Sequence, residues 1–272
     1  MGVQSLKECV RLGMPLCQET VIDAHCHMGR WYNFNVPNGD ASGMVAMMDR
    51  LGFTACIAAH HASIGPDFRY GNDEVIRAMQ DFPGRIYGYV GVNPNYPETE
   101  LIRELDRCME AGMVGVKLHP DVHQCPVDDV KYAAVWEYAN ERHLPVLSHT
   151  STGGRNPVQT FEKLAEKYPN VAIILGHSGF GSEGAEKSIE AALKFPNIYL
   201  EIAGSVITYG ILERMVNRVG AKRVLFGTDM PFLDPRPQLG RVAFAKVSDE
   251  DKRQILGLNA VRIFGLRVHN GA

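Results

Sequence analysis

The run Val21-Ile22-Asp23-Ala24-His25-Cys26-His27 carries the first chemistry of the chain. Its apolar, β-branched start reads as a buried strand, and two histidines follow at i, i+2. Side chains alternate faces along a strand, so this spacing sets both imidazoles on one side. Two neutral imidazoles converging from one strand end form half of a transition-metal site. Cys26, between them, is expected to face the other way and to pack rather than ligate.

Further polar residues stand where later apolar runs end. His60 and His61 follow the second run, and Asn93-Pro94 the third. Lys117 and His119 lie in Val116-Lys117-Leu118-His119-Pro120, and His149 in Leu147-Ser148-His149-Thr150. His177 lies in Leu175-Gly176-His177-Ser178-Gly179. Glu201 falls in the seventh run, and Asp229 in Phe226-Gly227-Thr228-Asp229-Met230-Pro231-Phe232. Lys117 and His119 share strand parity, so both are expected to face one opening.

Eight strand-like runs position these residues: Thr20–His25, Ala55–Ala59, Ile86–Val92, Val114–Leu118, Pro145–His149, Val171–Leu175, Ile198–Ile202 and Val224–Gly227. Most are rich in Val, Ile and Leu without alternation, as strands buried on both faces are. Helical patterns separate them: Met44–Leu51, Glu74–Asp81, Glu98–Ala111, Val130–Arg142, Gln159–Lys167, Gly184–Lys194, Gly210–Val219 and Asp249–Phe264. Gly52, Phe82-Pro83-Gly84, Gly112, Tyr168-Pro169-Asn170 and Phe195-Pro196-Asn197 stop helices before the next strand. Eight β/α alternations predict a (β/α)8 TIM barrel, with a doubly wound open sheet as the alternative. The barrel is favoured because the polar residues gather at strand carboxyl ends, where barrel enzymes place their chemistry.

Composition narrows the remaining choices. The 272 residues, 45% hydrophobic and 22% charged, suffice for one full core, and no linker divides them, so one domain over 1–272 is expected. A formal net charge of −3 without a Lys/Arg block argues against a nucleic-acid or membrane-surface protein. No apolar run reaches the ~18 residues of a membrane helix. The first residues include Lys7, Glu8 and Arg11, which interrupt any signal-peptide core and suit a short helix at about 3–13. Met1-Gly2 suggests myristoylation, but Leu6 stands where Ser or Thr is needed. The six cysteines form no C-x-x-C pair and read as reduced thiols, so a cytoplasmic location is expected. Nothing marks an interface, and a homodimer remains open.

The order H-x-H at strand one, His at strands five and six and Asp at strand eight resembles the amidohydrolase superfamily. Within it, the chain resembles the amidohydrolase-2 group, which includes enzymes similar to aminocarboxymuconate-semialdehyde decarboxylase. The likeness runs from Asp23-Ala24-His25-Cys26-His27 to Gly227-Thr228-Asp229-Met230-Pro231. It implies that His25, His27, His149 and Asp229 bind a metal. In mononuclear members the histidine matching His177 is catalytic and lies beside the metal. In binuclear members it ligates a second metal, and a lysine at the position of Lys117 carries a carbamate. One metal and two both remain open, with Lys117 and His119 as second-metal or substrate residues.

Three or four N/O ligands with an open position describe a catalytic rather than a structural metal site. Zinc suits these ligands best, with manganese, iron or cobalt as alternatives. Asp229 is expected to manage the proton of an activated water, and His177 to shuttle a proton or stabilise an oxyanion. The leading expectation is therefore a hydrolase acting on an amide, ester or lactone of a small molecule. Its nearest rival is a metal-dependent non-oxidative decarboxylase of a small aromatic or unsaturated acid, which an anion-gripping arginine would favour. A non-catalytic metal-binding barrel and a metal-free acid–base enzyme stand behind these.

Other residues are ranked lower. Asp23 shares parity with His25 on this reading and is expected deeper in the barrel as a structural partner. Glu201 is expected inside strand seven, where a buried carboxylate needs a partner. For His60 and His61 the choice lies between one facing substrate and both at the surface, with the surface slightly favoured. Arg155 and Arg236 fall in the loops after strands five and eight, where an arginine grips an anionic substrate or is simply solvated. His123, His143 and His269 are given no chemical role. Trp31 and Tyr32 are expected to wall the pocket, and the loop from Met28 to Asp40 to close over it.

Overall fold

Eight strands follow one another around a barrel in sequence order, each parallel to the next. They are β1 (Ile22–Met28), β2 (Ala55–His60), β3 (Ile86–Gly91), β4 (Gly115–Leu118), β5 (Pro145–His149), β6 (Ala172–Gly176), β7 (Ile198–Glu201) and β8 (Val224–Leu225). The computed structural model describes residues 5–33, 35–204 and 208–268. His269, the Met1-Gly2 signal and part of the expected helix at 3–13 lie outside them. The seam from β8 back to β1 is closed by Ala24 N–H to Phe226 O (3.0 Å), Asp229 N–H to His25 O (2.8 Å) and His27 N–H to Met230 O (2.9 Å). The fold is the (β/α)8 barrel expected.

The helices are α1 (Leu6–Arg11), α2 (Ala41–Leu51), α3 (Phe68–Asp81), α4 (Glu98–Glu110), α5 (Pro120–His123), α6 (Ala133–Glu141), α7 (Val158–Lys167), α8 (Gly181–Lys194), α9 (Ile211–Val219), α10 (Arg236–Phe244), α11 (Asp249–Arg253) and α12 (Asn259–Phe264). Their starts follow local chemistry. Asp40 accepts from Gly43 N–H at 2.7 Å at the head of α2, and Ser248 accepts from Asp251 N–H at 3.1 Å at the head of α11. Arg236 opens α10 rather than lying in a loop, a correction to the sequence reading. Pro235 and Pro237 look like breakers, yet a helix start tolerates proline. The expected single helix Asp249–Phe264 contains a π turn at Gln254–Leu258 between α11 and α12.

β1 departs from simple alternation. Its register with β2 passes from Asp23↔Cys56 to Cys26↔Ala58, so β1 carries one extra residue there. Ile22 and Ala24 pack inside the barrel with Ile57, Tyr89, Leu147 and Leu225. Val21, Cys26 and Met28 pack in the outer layer with Met44 and Met48. The bulge therefore flips parity between Ala24 and His25, which are consecutive and both face inward. Cys26 packs outward as expected. Asp23 does not share a face with His25, which corrects the parity argument.

Asp23 instead ties the seam. Its carboxylate accepts from His25 N–H (3.2 Å), Thr228 N–H (3.0 Å) and the Thr228 hydroxyl. Both residues are fully buried. Thr228→Val keeps the shape and removes the hydroxyl donor. It is expected to cost about 2 kcal/mol in urea unfolding, because the carboxylate stays buried one donor short. Thr228→Ser should hold most of the native stability, and an unchanged midpoint for the valine variant would contradict this account of the seam.

Candidate metal centre and active site

The bulge delivers His25 and His27 to the carboxyl end of the barrel, opposite the segment after β8. There Asp229 Oδ1 lies 3.3 Å from His25 Nε2 and 3.5 Å from His27 Nε2. These three donor atoms lie within 4.8 Å of one another, and all three residues are buried. Asp229 has φ +65° and His177 φ +62°. Left-handed backbone at residues other than glycine is uncommon and gathers at functional sites.

The orientation of His25 is fixed from behind. Glu201 Oε2 lies 2.9 Å from its Nδ1 and also accepts His177 N–H at 3.0 Å. The other Glu201 oxygen accepts Ala203 N–H. A carboxylate here can only accept when ionised, so Nδ1 carries the hydrogen and Nε2 presents its lone pair. Lys117 Nζ takes that lone pair at 2.7 Å. Burial pushes the Lys117 ammonium down to about 8, against the pull of Asp229 and Glu201. Burial, then the charge of Lys117, holds His25 and His27 well below the usual imidazole range. Neutral imidazoles are the form a metal binds.

The remaining histidines surround the mouth. His119 and His149 stack with ring centroids 4.3 Å apart, and His149 meets His177 edge-on at 4.7 Å. His149 thus faces the same cavity but stands outside the tight group of His25, His27 and Asp229. His177 Nδ1 lies 3.1 Å from Ala203 O and 3.6 Å from Asp229 Oδ2. A carbonyl only accepts, so His177 Nδ1 carries the hydrogen.

His60 and His61 are buried, not at the surface, which corrects that expectation. Ala59 faces the barrel interior, so His60 turns away and His61 turns in. His61 stacks on His27 at 5.2 Å, with its Nδ1 3.0 Å from Gly29 O. Strand parity could have separated the two.

These groups line a cavity of about 300 Å³. Its floor holds His27, His119, His149, His177 and Asp229, and its walls Trp31, His61, Ile64, Phe180, Phe232 and Leu233. A larger open cleft of about 950 Å³ lies alongside, bordered by Arg30, His60, Tyr70 and Arg77. The smaller cavity is the site, because the clustered donors open into it. Trp31 walls it as expected, while Tyr32 is 83% exposed, does not line it and packs against Trp31 with the rings tilted. Arg155 is held through its backbone by Asp121, and Arg236 pairs with Asp234 in solvent. Neither lines the cavity.

His123 is buried elsewhere, with its Nδ1 2.6 Å from the Tyr132 hydroxyl, and His143 is exposed. Burial pushes His123 down to about 4. The unfolded chain takes up this proton near pH 6.5, the folded chain only near 4. The stability this ring contributes is therefore complete above 6.5 and is lost as pH falls towards 4. Between pH 7 and 5 the loss is about 2 kcal/mol. In His123→Gln the fall in stability over that range should be smaller by this amount in urea titrations, and an equal fall would contradict it.

The donor set fits a divalent ion. Neutral imidazole nitrogens and a carboxylate converge, and the buried Nδ1 atoms of His27 and His119 have no hydrogen-bond partner among the described residues. A (β/α)8 barrel with such donors at its carboxyl end defines the class of metal-assisted barrel enzymes. The chain belongs to the amidohydrolase family, whose model matches residues 22–266. It is 24% identical over 253 residues to the gamma-resorcylate decarboxylase of Polaromonas sp., covering 73% of this chain and 76% of that protein. It is also 24% identical over 240 residues to the 2-amino-3-carboxymuconate-6-semialdehyde decarboxylase of Dictyostelium discoideum, covering 73% of this chain and 66% of that protein. A solved dihydroxybenzoic acid decarboxylase of Polaromonas sp. JS666, with bound manganese and 2-nitroresorcinol, superposes with a TM-score of 0.70. That match is 20% identical and covers 93% of this chain and 99% of that one. Among the described residues, no helix is long and apolar enough to cross a membrane.

Proposed function

We propose that this chain is a divalent-metal-dependent, non-oxidative decarboxylase of a small aromatic carboxylic acid. The observation that carries it is the cavity itself, aromatic and apolar on its walls, with Asp229 and His177 on a floor of neutral imidazoles. Hydrolysis leads on the sequence alone. Decarboxylation displaces it because the curated relatives reported above are decarboxylases.

His25, His27 and Asp229 would hold the ion, with His149 close by. Bound there, a divalent cation would supply Lewis-acid polarisation of the substrate's oxygen atoms. Manganese is favoured by the solved relative and zinc by the ligand types. One ion is the simpler reading, because the Nε2 atoms of His25 and His27 and Asp229 Oδ1 converge at one point.

Asp229 delivers a proton to the ring carbon that bears the carboxylate. That carbon becomes tetrahedral, and the C–C bond then breaks. Its electron pair returns to the ring as carbon dioxide leaves, so one proton enters for each carbon dioxide released. His177, 3.6 Å from Asp229 Oδ2, is placed to resupply the proton. Trp31 and Phe232 hold the ring and keep water from the reacting carbon.

The reading is tested with manganese-loaded protein and a panel of single-ring hydroxybenzoates, 2,6-dihydroxybenzoate among them. Chromatography should show the matching phenols, and none after chelation. Inertness towards the panel, with metal-dependent hydrolysis of esters or lactones, would overturn it.

A further inference from the structure

We infer that the site takes a single-ring acid bearing one carboxylate and rejects the same ring bearing a second. The inference rests on the decarboxylase reading for the identity of the reacting group. It goes further by fixing the charge that the rest of the substrate carries.

A cavity of about 300 Å³ is at the small end of ligand pockets, with room for one ring and small substituents. The floor takes the first carboxylate. The ring then projects among Trp31, His61, Ile64, Phe180, Phe232 and Leu233, and burial holds the His61 imidazole below its usual range, in the neutral form. These walls offer no cation. Every lysine and arginine of the chain is among the described residues, and none lines the cavity. Lys117, the nearest ammonium, is 1% exposed and stands behind His25, outside the lining. Arg155 and Arg236 also stand outside the lining, and Arg236 pairs with Asp234.

A second carboxylate would therefore leave water for a mostly apolar wall without a cationic partner, and an unpaired buried charge is strongly disfavoured. A neutral substituent of the same size meets no such cost. The relatives span both kinds of substrate. Resorcylate carries one carboxylate, whereas 2-amino-3-carboxymuconate-6-semialdehyde carries two. The lining of this cavity assigns the chain to the first kind.

The test reads binding, not turnover. Manganese-loaded protein is titrated by calorimetry with 2-hydroxybenzoate, its 5-carboxy derivative and its neutral 5-carbamoyl derivative. The first should bind about 100-fold more tightly than the 5-carboxy compound, and the carbamoyl compound should stay within about tenfold of the first. Leu233→Arg, which adds a cation to the wall, should narrow the gap for the 5-carboxy compound. Equal binding of the 5-carboxy compound, equal rejection of the carbamoyl compound, or no binding by any of the three would each overturn the inference. Selective binding of a panel that is never decarboxylated would leave this inference standing and overturn the proposed reaction instead.

Discussion

In Asp229→Asn, turnover is expected to fall by about 1,000-fold or more at saturating manganese. The reasons lie in two oxygens of one side chain. Oδ1 converges with the Nε2 atoms of His25 and His27, where it would help hold the ion. Oδ2 faces His177 and is the oxygen able to pass a proton to the ring. An amide keeps the shape but cannot give up and regain that proton. Asparagine also tolerates the left-handed backbone at this position, φ +65°, so the turn after β8 should survive. Metal content measured on the same sample separates loss of chemistry from loss of the ion. Activity within tenfold of wild type in a metal-loaded variant would contradict the role given to Asp229.

Glu201→Gln should weaken metal affinity by about 10- to 100-fold, with activity partly recovered by excess manganese. Glu201 does not line the cavity. It receives His25 Nδ1–H, His177 N–H and Ala203 N–H from three directions. Glutamine has one acceptor oxygen, so its amide nitrogen must face one of these donors. His25 then loses the contact that fixes its tautomer, and Nε2 no longer reliably presents a lone pair. A merely structural role would lower the unfolding midpoint and leave the metal dissociation constant of the folded protein unchanged. That constant, measured by competition with a chromogenic chelator, is the deciding readout.

The barrel and its polar mouth were legible because each signal was local. Apolar runs, helix-stop residues and the positions of His25, His27, His177 and Asp229 all follow from neighbours in sequence. Asp23 was misplaced because a bulge is a register event between two strands, and nothing within β1 announces it. Glu201 was underrated because its partners lie 176 and 24 residues away. His61 was hidden by its neighbour, although counting inward from Ala59 would have set the two histidines on opposite faces. The walls were the least legible part. Phe180, Phe232 and Leu233 come from turns whose positive-φ backbone at Phe180 and Asp229 no periodicity predicts. Those residues shape the cavity, whereas the histidine and aspartate pattern suits hydrolysis and decarboxylation alike, so the sequence alone puts hydrolysis first.

The central claim is that a carboxylate leaves this site as carbon dioxide and a proton takes its place. Mass spectrometry of the product formed from 2,6-dihydroxybenzoate in heavy water tests it most directly. The account predicts resorcinol with one deuterium on the carbon that lost the carboxylate, matched by an equal amount of carbon dioxide and absent after chelation. Unconverted substrate, or deuterium missing from that carbon while carbon dioxide is released, would contradict it.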